Sequence, residues 1–332
     1  MRMTVTASLK HLVWCFLLLP AMLRSQDLQR FEFSHRQMGT QFQLIFYAAD
    51  SSRAQGFATA AFAKLDSLNH ILSDYQSDSE LNRLVATAGS GRWVSVSDDL
   101  WQVISRSQQY ASISNGAFDI SVGAVSRRWR RALRRQEFPG GAAWDLAKAN
   151  IDFRQIHLDS TTQRIRLQRA NMRLDLGGIA KGYAVDAMLK LLQSAGVQSA
   201  LVDGGGDIRV SKAPPGSEGW RIARPTVDSS GQLSETLLWL EHAAVATSGD
   251  RYKYLEWQGK RYSHLIDPLT GVGVTNRRLV TVIAGSCTEA DALASTFSVL
   301  GEEQLAALRT AFSTADIQIL IPKQTGAWQP LK

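Results

Sequence analysis

The sequence predicts an α+β fold, with mixed, mainly antiparallel sheets and helices packed against them, in a single large domain spanning residues 26–332. Three observations carry this expectation. Helical and strand periodicities come in mixed blocks, without the regular strand–helix–strand alternation of a parallel sheet. Several strand-like segments fold back through short turns, as antiparallel hairpins do. With 332 residues, 45% of them hydrophobic, the chain can bury a sizeable core.

The N-terminus stands apart from that core. Arg2 and Lys10 precede an apolar run from Leu12 to Leu19, followed by Pro20, Ala21 and a polar change at Ser25-Gln26. A basic start, an apolar centre and small residues before a cut make residues 1–25 a secretory signal peptide. The run is short for a bilayer span, so cleavage is expected over retention as an anchor. Cys15 lies inside the run and not after it, which argues against a lipid anchor. Cleavage after Ser25 removes Arg2, Lys10 and Arg24, taking the formal charge from +7 to +4. It also leaves Cys287 alone, so the exported chain relies on its core and not on an internal disulfide.

Residues 31–48 read as a strand or hairpin turning at Met38-Gly39-Thr40, with Phe42, Leu44 and Phe46 on one face. Ala54, Phe57, Ala58, Ala61, Leu65, Leu68 and Leu72 follow at helical spacing. Residues 73–81 are polar with a single aromatic and are expected to form a loop. Tyr75 within it reads first as a cap on the core, and alternatively as a stacking wall for a ligand. A second helix starts at Ser97 or Asp98 and ends near Asn115-Gly116. Residues 117–123 then set Asp119 between apolar neighbours, where an acid either ties down a loop or receives a ligand hydroxyl or amide.

Arg127, Arg128, Arg130, Arg131, Arg134 and Arg135 crowd one helical stretch around Trp129. Such a patch suits nucleic acid or lipid head groups. No base-stacking or groove-reading motif accompanies it, so a solvated helix face is expected and nucleic acid is not. After Gly140-Gly141 come paired strands near residues 156–158 and 165–167. Residues 200–208 look like a buried strand breaking into a tight glycine turn. A hairpin region follows Pro214-Pro215, then a strand into a small-residue loop at 244–250. His264 sits at a strand end before the turn Asp267-Pro268-Leu269-Thr270-Gly271.

The stretch that organises the chain is 174–185, read as a strand running straight into a helix. Residues 165–176 alternate, and 183–192 are apolar at helical spacing until Gly196. Gly177 and Gly178 at the joint let a bound group approach the backbone, and the new helix points free N–H groups at that space. An anion is favoured there, and Lys181 adds a movable positive charge. The spacing is neither a P-loop nor a dinucleotide fingerprint, and the stretch reads equally as a tight turn with a solvated lysine. Near the C-terminus, Thr288-Glu289-Ala290-Asp291 has the pattern of a capping box, with Asp291 closing it. Asp291 and Ser295 also lie four apart on one helix face, and a carboxylate with a hydroxyl suits a hard cation such as Mg²⁺. By spacing alone the cap is preferred.

Taken together these segments resemble the ApbE family of flavin transferases. The resemblance runs in order through Met-Gly-Thr at 38–40, Tyr75 with Ser79-Glu80-Leu81, Ala-Phe-Asp at 117–119 and Asp-Leu-Gly-Gly-Ile-Ala-Lys-Gly at 175–182. It continues through Gly-Gly-Gly-Asp at 204–207, Thr-Ser-Gly at 247–249, His-Leu-Ile-Asp-Pro-x-Thr-Gly at 264–271 and Glu-Ala-Asp-Ala-Leu-Ala-Ser at 289–295. It implies an FAD:protein FMN transferase: FAD is cleaved at its pyrophosphate, FMN is joined through its phosphate to a Thr or Ser hydroxyl of another protein, and AMP leaves. It also implies an exported location, on the periplasmic side of a bacterial inner membrane. Mg²⁺ would be held by the Ala180 carbonyl, Asp291 and Ser295, where the family more often has Thr. FAD contacts would fall on Met38, Tyr75, Ala117, Phe118, Asp119, Gly177, Tyr183 and Leu265. Lys181 would help neutralise the pyrophosphate, and His264 is the candidate base for the acceptor hydroxyl.

The alternatives are an Mg²⁺-dependent FAD pyrophosphatase and a non-catalytic flavin-binding protein. The family's acceptor signature is Asp-Gly-x-Ser/Thr-Gly-Ala-Ser/Thr. Asp203-Gly204 leads only into Gly205-Gly206, so the expected acceptor is a partner protein, such as a membrane redox subunit, and not this chain.

Overall fold

A computed structural model of the chain describes residues 28–249 and 253–331. The signal-peptide expectation for residues 1–25 lies outside the described residues. Among them, no helix is long and apolar enough to cross a membrane. The architecture is α+β, as expected, and every pairing within its sheets is antiparallel.

The chain opens with the hairpin β1 (Gln29–Gln37) and β2 (Thr40–Ala48), turning at Met38 and Gly39, both at positive φ. Helix α1 (Ser51–Leu72) follows, its first turn capped by Asp50. The loop expected over 73–81 is shorter than that: Ser79 caps a helix, α2 (Glu80–Val85). Glu80 earns its place there by accepting from the Ser97 N–H at 2.6 Å and the Ser97 hydroxyl at 2.7 Å. After β3 (Val94–Ser95) come α3 (Asp98–Ile113), capped by Ser97, then the arginine-rich α4 (Gly123–Arg135) and α5 (Ala142–Ala149). Strands β4 (Ile156–Asp159) and β5 (Arg164–Leu167) pair as expected.

The strand expected to run through residue 176 stops at Leu167, because beyond it the alternating residues find only one bridge, Val122 with Arg173. Helix α6 (Ala180–Ser194) starts after the glycine joint and ends at Ala195-Gly196. Then come β6 (Ala200–Asp203), β7 (Ile208–Val210), the hairpin β8 (Trp220–Val227) with β9 (Leu233–Leu240), and β10 (Ala244–Gly249). Short strands β11 (Tyr254–Trp257), β12 (Lys260–Ser263), β13 (Ile266–Asp267) and β14 (Val272–Gly273) form two small ribbons. The chain ends with β15 (Leu279–Ala284), α7 (Cys287–Val299), α8 (Glu302–Ala311), β16 (Asp316–Pro322) and β17 (Trp328–Pro330).

One eight-stranded sheet, ordered β1-β2-β6-β7-β10-β15-β16-β17, is the frame. Its period-two pattern sorts residues between two layers. Phe42, Leu44 and Phe46 of β2 are fully buried toward helices α1, α6 and α7 in the main core. Ile45 and Tyr47 point the other way and pack with Trp220 and Ile222 of the β8–β9 hairpin. A separate small core gathers Val125, Trp129, Ala132, Trp144, Ala147 and Leu255 from α4, α5 and β11. The space between the main core and this satellite is where the site lies.

Candidate functional site

A cavity of about 690 Å³ opens between the two cores. Six of the eight residues expected to contact FAD line it: Tyr75, Ala117, Phe118, Asp119, Gly177 and Leu265. His264 and Ser295 line it too. Met38 and Tyr183 do not. The Met38 side chain packs on the main core, and the Tyr183 hydroxyl donates to Asp99 at 2.8 Å, tying α6 to α3. These two positions hold elements together rather than facing this cavity.

Tyr75 is not a cap on the core: it is 74% exposed, and the Arg130 guanidinium sits 4.5 Å from its ring centre. Arg130 is also not part of a solvated face. It donates to Asp175 at 2.9 Å and to Asp74, so one side chain joins α4, the Tyr75 loop and the glycine joint. Burial raises the Asp74 carboxyl, and the neighbouring Asp175 charge adds to the rise, against the pull of Arg130. Asp175 in turn accepts the Gly177 N–H at 2.8 Å, which fixes the turn ahead of α6. Arg130→Gln is therefore expected to loosen the Tyr75 wall and weaken FAD binding about tenfold, some 1.4 kcal/mol, measured by quenching of flavin fluorescence. Unaltered affinity would remove Arg130 from the site.

Asp119 resolves toward loop anchoring. Its two oxygens accept the Ser121 N–H at 2.7 Å and the Phe153 N–H at 3.0 Å, while burial raises its pKa. Phe118, next to it, reaches the far side of the cavity: a Cβ on Gly178 would meet its ring at 3.3 Å and the Ser295 hydroxyl at 3.1 Å. The His264 segment is held by Trp129, whose indole N–H donates to the Ser263 carbonyl at 2.8 Å, and by the His264 N–H donating to the Lys253 carbonyl at 3.0 Å.

The decisive geometry lies where α6 meets α7. A Cβ on Gly182 would fall 2.3 Å from the Cys287 carbonyl oxygen and 2.8 Å from Asp291 Cβ, so only glycine permits this approach. The Gly182 N–H donates to Asp291 at 3.0 Å. Asp291 is thus not the capping-box acid expected from spacing. The cap is Ser286, whose hydroxyl accepts the Glu289 N–H at 3.2 Å. Asp186 of α6 completes it by accepting the N–H groups of Cys287 and Thr288, each at 2.9 Å. Asp186 escaped notice in the sequence because its partners are a hundred residues away. Gly182→Ala is expected to destabilise the fold by about 1–3 kcal/mol, because a backbone carbonyl cannot yield as a side chain can. A thermal melt unchanged from the parent would refute that contact.

Lys181 is not the movable cation expected of it. Its ammonium pairs with Asp207 and lies 3.7 Å from Asp291. Burial pulls its pKa down, but the Asp291 and Asp207 charges outweigh that and hold it above the ordinary lysine value. Asp291 is pushed up to about 7 by burial first and by the Asp207 charge second, against Lys181 and the Gly182 N–H. The helix N-terminus is therefore partly occupied by the protein's own carboxylate, so a bound diphosphate needs a further positive charge.

The donors present suit such a charge. Thr296 and Ser298 turn their hydroxyls back to carbonyls four residues earlier, at 2.6 and 2.8 Å. Ser295, just before them, lines the cavity instead. The Asp291 carboxylate, the Ser295 hydroxyl and the Ala180 carbonyl at the start of α6 are all oxygen donors, the type a hard cation prefers. Among the described residues there is no group of three His, Cys, Asp or Glu that could hold a metal unaided.

Comparison with known proteins identifies the family. The model of the ApbE family matches residues 38–320. A Treponema pallidum protein named FAD:protein FMN transferase is 34% identical over 275 residues, covering 79% of this chain and 76% of the relative. A Vibrio cholerae protein of the same name is 32% identical over 276 residues, covering 80% of each. The crystal structure of the apo form of Pseudomonas stutzeri flavinyl transferase ApbE matches with a TM-score of 0.81 at 28% identity, over 92% of this chain and 95% of that one. With sequence and fold agreeing over most of its length, this chain belongs to the ApbE family.

Proposed function

We propose that this chain is an FAD:protein FMN transferase acting with Mg²⁺ on a partner protein. The observation that carries the reading is that the Gly177-Gly178 joint, Ser295, Tyr75 and His264 line one cavity, while Asp291, buried one helical turn before Ser295, accepts the Gly182 N–H just beyond the joint. Named relatives with the same fold support the transferase assignment.

In this reading Tyr75 and Phe118 flank the flavin half of FAD, and the glycine joint lets the pyrophosphate approach the backbone. Ala180, Asp291 and Ser295 would hold Mg²⁺. Bound there, it would supply Lewis-acid neutralisation of the pyrophosphate. Lys181 keeps Asp207 and Asp291 from repelling one another, and so positions Asp291 rather than touching phosphate itself. The acceptor hydroxyl oxygen forms a bond to the phosphorus of the FMN half. The bond from that phosphorus to the bridging oxygen breaks, AMP leaves with that oxygen, and His264 takes the hydroxyl proton.

The test is incubation with FAD, Mg²⁺ and a threonine-containing acceptor peptide. Covalent flavin fluorescence on the peptide with equimolar AMP is expected. Free FMN with AMP and an unlabelled peptide would make the chain a pyrophosphatase, and intact FAD a flavin-binding protein. The exported location is a further part of the proposal, resting on residues 1–25. Recovery of the processed chain from the periplasmic fraction of a bacterial host is expected, and a wholly cytoplasmic, unprocessed product would overturn it.

A further inference from the structure

Beside the flavin cavity runs a second one, of about 890 Å³, that the reaction just described does not use. The two share Tyr75, Arg130 and Arg134, so they are neighbours along one wall. The second is lined by Arg127, Arg128, Arg130, Arg131, Arg134 and Arg173 against one carboxylate, Asp74. Arg130 is already committed to Asp74 and Asp175. Among the described residues no ion pair engages Arg127, Arg128, Arg131 or Arg134, and all four are exposed. Trp129 and Ala132 of the same helix are buried in the satellite core, so these guanidiniums are carried on an anchored helix.

A run of like charges without internal partners repels itself and costs stability, so it calls for a partner of opposite sign. An acceptor protein that places a hydroxyl in the flavin cavity must lay its chain across the adjoining surface. We infer that the arginine groove docks the acidic residues flanking the acceptor hydroxyl, steering an acidic protein segment into the site. This rests on the transferase reading and names the chemistry of its partner. Opposite charge across such a surface speeds encounter and rejects basic partners, and both effects weaken with salt.

The test compares two fluorescein-labelled peptides with the same central threonine, one flanked by Asp and Glu, the other by Asn and Gln. Binding is read by anisotropy, and FMN transfer is scored separately. At low salt the acidic peptide is expected to bind about tenfold more tightly. That advantage should vanish in the Arg128→Glu/Arg131→Glu double variant and persist in Arg36→Glu/Arg53→Glu, which makes the same charge change at exposed residues of β1 and α1 that line neither cavity. Equal binding of the two peptides to the parent protein would overturn the proposal, as would an acidic preference surviving in the groove variant. A fall in FAD affinity in that variant would assign the groove to substrate phosphate instead. Tighter binding of a single-stranded oligonucleotide than of the acidic peptide would assign it to nucleic acid. Acidic-peptide binding without transfer would preserve the groove and remove the transferase, whereas transfer without acidic preference would do the reverse.

Discussion

Asp291→Asn is expected to lower Mg²⁺-dependent FMN transfer about a thousandfold while leaving the fold intact. Asparagine keeps the size of the side chain and an oxygen for the Gly182 N–H, which donates to Asp291 at 3.0 Å. What it removes is the negative charge, and with it the one carboxylate in the proposed cation set. Activity is read from flavin transferred to an acceptor peptide across a Mg²⁺ titration. Transfer within a few-fold of the parent would show that the pyrophosphate is neutralised elsewhere.

The same substitution makes a second, opposite forecast for stability. Asp291 has its folded pKa raised to about 7, above the ordinary carboxylate value of 3.8. For such a group the ionised form is the disfavoured one in the folded protein. Its contribution to stability is therefore lost as pH rises from about 4 through about 7, and the full cost applies above that. In chelator at pH 8, Asp291→Asn should melt above the parent, and the gap should close toward pH 5. A bound cation favours the ionised carboxylate, so Mg²⁺ should raise the parent's melting temperature more at pH 8 than at pH 6. Equal Mg²⁺ effects at both pH values would mean that Asp291 is not coupled to the metal.

The contrast between what could and could not be read from the sequence follows from how far each interaction reaches. Phe42, Leu44 and Phe46 announce a strand face because alternation is local, and α1 is visible in its repeat of Ala and Leu for the same reason. Helix α5 gives little sign of itself after Gly140-Gly141, because its eight residues offer only Trp144 and Ala147 as buried markers. Alternation extends the strand through residue 176, since it cannot tell a paired strand from an extended segment with one bridge. Charges fared worst. Lys181 looks free because Asp207, from the turn between β6 and β7, and Asp291, on α7, reach it only when those elements pack on α6, and Arg130 looks solvated because Asp74 and Asp175 come from other segments. The order of the short motifs supplied what spacing could not: it grouped Gly177, His264 and Ser295, which the fold places on one cavity.

His264→Ala is expected to reduce transfer by about 10²–10⁴-fold and to leave FAD binding nearly unchanged. The ring's Nδ1 lies 3.3 Å from the Lys253 carbonyl, but the backbone that carries it has hydrogen bonds of its own. The Trp129 indole holds the Ser263 carbonyl, the His264 N–H donates to the Lys253 carbonyl, and the Leu265 N–H donates to the Ser263 hydroxyl at 3.1 Å. Removing the ring should therefore leave Leu265 and the flavin cavity in place, and FAD quenching should report the parent's affinity. A base and a structural clamp are separated by pH. If the ring takes the hydroxyl proton, transfer by the parent falls as the imidazole protonates, and the residual rate of the alanine variant loses that acidic limb. If His264 only clamps the strand end, the variant keeps the parent's pH profile at a lower rate, and its FAD affinity falls with it. Restoration of part of the lost rate by added imidazole would place the proton on that side chain, because a small free base can enter the space the ring has left but cannot rebuild a clamp.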